Sequence, residues 1–79
     1  MKIRVDVMLK QGVLDPQGEA VRRALGTMGF EGVEKVRQGK VIMLDLDETD
    51  EAAALAQARD IADKLLANTV IESYKVSMA

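Results

Sequence analysis

The sequence predicts an α+β fold of the ferredoxin-like kind, in the order β-α-β-β-α-β, with two helices on one face of an antiparallel sheet. Three observations carry that expectation. Residues 2–10 alternate apolar and polar without a break, residues 33–46 hold two β-type runs on either side of Gln38-Gly39, and a capped stretch with helical apolar spacing flanks that middle region on each side. The competing arrangement has three strands, with one long bent middle strand passing through Gly39.

The first element places Ile3, Val5, Val7 and Leu9 on one face of a strand and Lys2, Arg4, Asp6, Met8 and Lys10 on the other. A connection through Gln11-Gly12-Val13-Leu14 leads to a helix start at Asp15-Pro16-Gln17-Gly18-Glu19. Asp15 suits the N-cap, Pro16 the first helical position, and Glu19 adds charge of the favourable sign. Val21, Ala24, Leu25 and Met28 then follow at helical spacing as the stripe expected to face the sheet. Gly29 is the expected stop, Gly26 would allow a close neighbour, and Phe30 would close the end of the core.

In the middle region, a two-residue loop at Gln38-Gly39 would set Val36 opposite Val41 and Val33 opposite Leu44. Val36, Val41 and Met43 would then share the face that ought to be wet. Three contiguous apolar residues there suggest a sheet covered on both faces, with another chain on the second. A second helix opens after the acidic stretch 47–51, capped by Thr49 or Asp50. Its buried stripe is Ala54, Ala58, Ile61, Ala62 and Leu65, with Leu55 and Leu66 at the margins. Asn68 is the expected left-handed cap, and Val70 to Met78 the last strand, with Tyr74, Val76 and Met78 on one face.

Seventy-nine residues make a single domain, 1–79, whose own core is small. The chain has no cysteine and no histidine, which removes thiol chemistry and the usual zinc sites. Eleven basic and thirteen acidic residues are well mixed and only Phe30 and Tyr74 are aromatic, a poor match to nucleic-acid binding. No apolar run is long enough to span a bilayer, and Met1-Lys2-Ile3-Arg4 begins a strand rather than a leader, so a cytoplasmic location is expected. Ser73 and Ser77 have no histidine to activate them. Asp45 and Asp47 share a strand face but read as surface and helix-approach charges. No catalytic, metal or cofactor site is expected within the chain. Arg37 and Lys40, flanking Gln38-Gly39, could grip an anion at a turn or simply guard a sheet edge.

The assembled residues resemble the PurS family, the small subunit of phosphoribosylformylglycinamidine synthase. The resemblance rests on Val13-Leu14-Asp15-Pro16-Gln17-Gly18, on Gly29-Phe30, on Val36-Arg37-Gln38-Gly39-Lys40, and on Leu65-Leu66-Ala67-Asn68 with Val70-Ile71-Glu72 and Tyr74-Lys75-Val76. One departure is Thr69, where the family often has proline. The resemblance implies a non-catalytic subunit joining a large synthetase subunit, which binds ATP and Mg²⁺, to a glutaminase subunit, and helping ammonia pass between them. It also implies self-association as a dimer or tetramer, while the composition and the lack of a spanning run leave nucleic acid and membrane off the expected partners. Asp15, Pro16, Gln17, Gly18, Arg37, Gly39 and Lys40 are then the candidate partner contacts, and Val36, Val41 and Met43 the candidate self-association face. A glycine at position 18 costs up to about 1 kcal/mol against alanine in a helix, and close approach by a partner would explain it. The alternative function is a stand-alone regulatory domain binding a small ligand at a dimer interface. An acyl-phosphate hydrolase would need an arginine-lined loop that Gln11-Gly12-Val13-Leu14 does not supply.

Overall fold

A computed structural model describes residues 1–79. Its elements are β1 (Lys2–Leu9), α1 (Pro16–Thr27), β2 (Lys40–Asp45), α2 (Glu51–Ile61) with a terminal π turn (Ala62–Leu66), and β3 (Glu72–Met78). The sheet is antiparallel in the order β2-β1-β3, so the unbroken alternation at the N-terminus becomes the central strand. Ile3, Val5 and Val7 are fully buried, opposite Leu44, Ile42 and Lys40 on one side and Met78, Val76 and Tyr74 on the other.

One helix covers that face. Ala54, Ala58 and Ala62 recur every four residues and are completely buried against it. Because alanine ends at Cβ, α2 lies close to the strands, with Met1, Leu44, Leu46, Leu55 and Val76 filling the margin. Asp50 is the cap, its carboxylate accepting from the Ala53 N–H at 3.1 Å. The helix closes with a five-residue repeat, the Ala67 N–H donating to the Ala62 carbonyl at 2.9 Å. That extra residue shifts the phase of the stripe. Leu66, not the expected Leu65, packs on the Val5–Val7 cluster, and Leu65 is 80% exposed. Asn68 is not left-handed. Its side chain instead accepts from the Val70 N–H at 3.2 Å in a turn that delays the last strand to Glu72.

The middle region follows the three-strand alternative. No turn closes at Gln38-Gly39, and residues 33–39 lead into β2 without a turn or bend and with no backbone-to-backbone hydrogen bond. Val36 therefore does not reach Val41 within the chain. Val41 and Met43 do face solvent, opposite Asp6 and Arg4 on the side of the sheet away from α2.

Helix α1 begins and ends as its residues dictate. Asp15 caps it, and Gly29 at φ +91° ends it, with the Gly29 N–H donating to Gly26 and the Phe30 N–H to Leu25. Yet α1 does not lie on the sheet. Gly18 is its only buried residue, Val21 and Met28 stand exposed, and Phe30 is 56% exposed instead of closing the core. No neighbour comes near Gly26. Residues 11–39 thus form an arm, and the molecule extends over 49 × 24 × 14 Å. Its radius of gyration is 15.9 Å, against about 12 Å for a compact chain of this length.

Core dependence follows directly from this layout. Ile3→Ala, which empties a fully enclosed site, should cost about 2–5 kcal/mol in urea unfolding. Leu65→Ala, on the outside of the π turn, should change stability by less than about 0.5 kcal/mol.

Candidate functional site at the base of the arm

The arm leaves the sheet at two places, the loop after β1 and the segment before β2, and two side chains bind those places together. Asp15 is only 6% exposed. One carboxylate oxygen accepts from the Gly18 N–H at 2.8 Å, as an N-cap should. The other accepts from the Gln38 N–H, also at 2.8 Å, across 23 residues of sequence. A buried carboxylate is tolerable only with such partners, so the two bonds fix where residue 38 must lie.

Arg37 works from the opposite side. Its Nη1 donates to the Val13 carbonyl at 2.8 Å, and its Nη2 to the Lys10 carbonyl at 3.0 Å and the Leu9 carbonyl at 3.4 Å. The planar guanidinium fork reaches several carbonyls of one loop, which an ammonium could not do with the same rigidity. Both terminal nitrogens are committed inside the chain, so an anion beside Gln38-Gly39 would meet chiefly the exposed Lys40.

The glycines explain themselves here. A Cβ on Gly18 would run into the Val36 carbonyl oxygen and the Asp15 carboxylate. The close approach that excludes a side chain at position 18 is therefore made within the chain, by the segment that lies along α1. A Cβ on Gly39 would collide with Met8 Sδ and lie 2.7 Å from the Val7 carbonyl oxygen.

Around this base is an open hollow of about 450 Å³. Val7 and Leu9 form its apolar floor, and Pro16, Gln38, Lys40 and Glu72 stand at its rim. Of the residues singled out from sequence, Asp15, Pro16, Gln17, Gly39 and Lys40 line this hollow, while Gly18 and Arg37 sit behind it as framework. Val41 and Met43 lie on the outer sheet face, and Val36 is half-buried on the arm. Sequence reasoning missed the Gln38 N–H and the three carbonyls that Arg37 gathers. The one available hint was the glycine in the first turn of a helix. No group of three or more histidine, cysteine or acidic side chains is placed to hold a metal ion, and no helix is long and apolar enough to cross a membrane.

The hydrogen bond from Gln38, then that from Gly18, with help from the Arg37 charge, holds the Asp15 carboxyl below the usual carboxylate range; partial desolvation opposes the shift. A lowered folded pKa contributes stability at pH values above the unfolded value of about 3.9, and that contribution is lost as pH falls through the folded value. Asp15→Asn, which keeps a capping oxygen but not the second acceptor, should lower the melting temperature at neutral pH. Its acid-induced decline below about pH 4 should also be shallower than that of the wild type. Gly18→Ala should lower the melting temperature as well, against the gain of up to about 1 kcal/mol that helix propensity alone would give. Thermal melts at neutral and acid pH measure both.

Comparison with known proteins places this geometry. The profile of the PurS family, described as phosphoribosylformylglycinamidine (FGAM) synthase, matches residues 2–79. The phosphoribosylformylglycinamidine synthase subunit PurS of Synechocystis is 51% identical over 71 residues, covering 90% of this chain and 71% of that protein. The Bacillus subtilis subunit is 45% identical, over 94% and 87% of the two chains. Among solved structures, Methanocaldococcus jannaschii PurS superposes with a TM-score of 0.88 at 36% identity, over 99% of this chain and 94% of that one. It is described as one of the subunits of formylglycinamide ribonucleotide amidotransferase in the purine biosynthetic pathway. A chain of the Thermotoga maritima PurLQS structure gives 0.88 at 32% identity, over 99% and 95%. Agreement at that level across the full length includes the projecting arm.

Proposed function

This chain belongs to the PurS family of phosphoribosylformylglycinamidine synthase, and on that footing we propose that it joins the ATP-dependent synthetase subunit to the glutaminase subunit and keeps the ammonia path between them closed to solvent. It contributes surface and geometry, while ATP and Mg²⁺ sit on the large subunit, and it works in the cytoplasm. The observation that carries this reading is the full-length likeness to a chain of the PurLQS structure. The arm supports it physically. A chain of this size that holds a helix away from its own sheet leaves surface that only other chains can cover. Pro16, Gln17 and Lys40, all exposed around the hollow, are the first candidates for partner contact.

Self-association follows the same logic. In a ferredoxin-like sheet a fourth strand lies beside the position that β2 occupies here, and that edge is open. Residues 33–37 make no backbone pairing, and the Val36 carbonyl lies against Gly18 in the first turn of α1. We infer that two copies exchange arms about a two-fold axis, each laying its 33–37 segment along the other's β2. The register that a hairpin at Gln38-Gly39 would have given, Val36 opposite Val41 and Val33 opposite Leu44, then forms between chains. Val36, Val41 and Met43 become neighbours in the dimer, and stacking of two such outer faces would give a tetramer.

Reconstitution tests the main reading. Glutamine-dependent synthesis by the large and glutaminase subunits should require this chain, whereas synthesis from added ammonium should persist without it. Full glutamine-dependent activity in its absence would remove the bridging role. Sedimentation of the isolated chain should give at least the dimer mass, and a monomer at all concentrations would remove the exchange.

A further inference from the structure

The run before β2 is compatible with two backbone courses. Gln38-Gly39 suits a two-residue hairpin, because glycine is favoured at the second position of such loops. In the structure the same two residues run straight on, with no bend between Val36 and Val41. Turning the chain back at Gln38-Gly39 would lay residues 33–37 on the open edge of their own β2. It would carry α1 over the uncovered half of the sheet and complete the ferredoxin-like arrangement within one chain. The strand pairing would be the one that exchange makes between chains, so backbone contacts alone do not choose between the two states. Something at the hinge must choose.

Arg37 is the group placed to do so. Its guanidinium holds the carbonyls of Leu9, at the end of the central strand, and of Lys10 and Val13 in the loop that leaves it. In the closed course residue 37 would stand on the far side of β2 from β1, two strand spacings or roughly 10 Å away. From there one side chain cannot keep its bonds to the Leu9, Lys10 and Val13 carbonyls together. The Asp15 carboxylate adds a second tie by accepting from the Gln38 N–H, which fixes the backbone beside the hinge. Gly39 suits either course: in the open one Met8 and the Val7 carbonyl leave no room for a Cβ.

We propose that Arg37 is a latch that holds the arm open for exchange, and that its release lets the arm close on its own sheet to give a compact monomer. The latch thereby sets whether this chain presents itself as an exchanged dimer or as a self-contained unit. The proposal rests on the exchange reading above, and the test separates the two.

The chain has no cysteine, so Val36→Cys with Val41→Cys installs the only thiols. Residues 36 and 41 lie on one chain with no turn between them, well beyond the roughly 7 Å between Cα atoms that a disulfide tolerates. Bridging therefore needs either a partner's arm or a closed hinge. After mild oxidation, the double-cysteine protein should run as a disulfide-linked dimer on a non-reducing gel. With Arg37→Ala added, most of the product should become a monomer with an internal disulfide. Without the cysteines, Arg37→Ala should show a dilute-solution radius of gyration near the roughly 12 Å of a compact chain of this length, below that of the exchanged dimer formed by the parent protein. Arg37→Lys keeps the charge but not the fork, and should give an intermediate share of closed monomer; it carries the test if the alanine variant does not fold. Linked dimers in undiminished proportion in both variants would overturn the latch while leaving exchange intact. Absence of any disulfide in the starting protein would overturn exchange and the latch with it.

Discussion

The placement of everything beyond the sheet depends on a carboxylate that serves two segments at once. Asp15 would need only the Gly18 N–H to start a helix, but its second oxygen also takes the Gln38 N–H. That bond turns a local capping device into a long-range one. Because the carboxylate is nearly buried, leaving either oxygen unpartnered would be costly, and the geometry is held from both ends. Arg37 completes the junction by holding the carbonyls on the far side of the same loop. Between them the two side chains determine the direction in which α1 leaves the sheet.

The sheet and its covering helix were legible in the sequence because their signals are local and periodic. The alternation from Lys2 to Lys10 could only be a half-buried strand, and it is the central one. Asp15, Pro16, Gly29 and Asp50 act where their chemistry puts them. The arm was not legible. Val21, Leu25 and Met28 carry a pattern that says which side of a helix is apolar, not which molecule covers it. Gln38-Gly39 is likewise permissive, and whether it turns is settled by Arg37 and Asp15, whose partners are backbone groups that no residue pattern reveals. Leu65 failed for a different reason: one extra residue in a π turn changes which leucine faces inward.

Only nine of the 79 residues are buried, and the three largest, Ile3, Val5 and Val7, are all on β1. Such a core makes the fold marginal alone, and a chain of this length already buries a smaller fraction of its surface than a larger domain does. Association is the remaining source of burial, since the sequence has no disulfide to lend. Most of the exposed large apolar groups lie on the arm, along β2 and around the end of α2, not scattered evenly. For a chain proposed to join two larger subunits, this distribution puts stability and function in the same contacts.

That coupling has a thermodynamic consequence. Any ligand or partner that binds only the folded, open form shifts both folding and the hinge in its favour, by an amount set by its concentration relative to its dissociation constant. A second copy and a larger subunit are equivalent in this respect. A partner that covers the arm therefore stabilises the form that can bind it, without a contact to the sheet core. Assembly and folding are then linked through the junction of Asp15, Arg37 and Gln38, which is why a few hydrogen bonds at the foot of one helix can govern a surface that extends well beyond them.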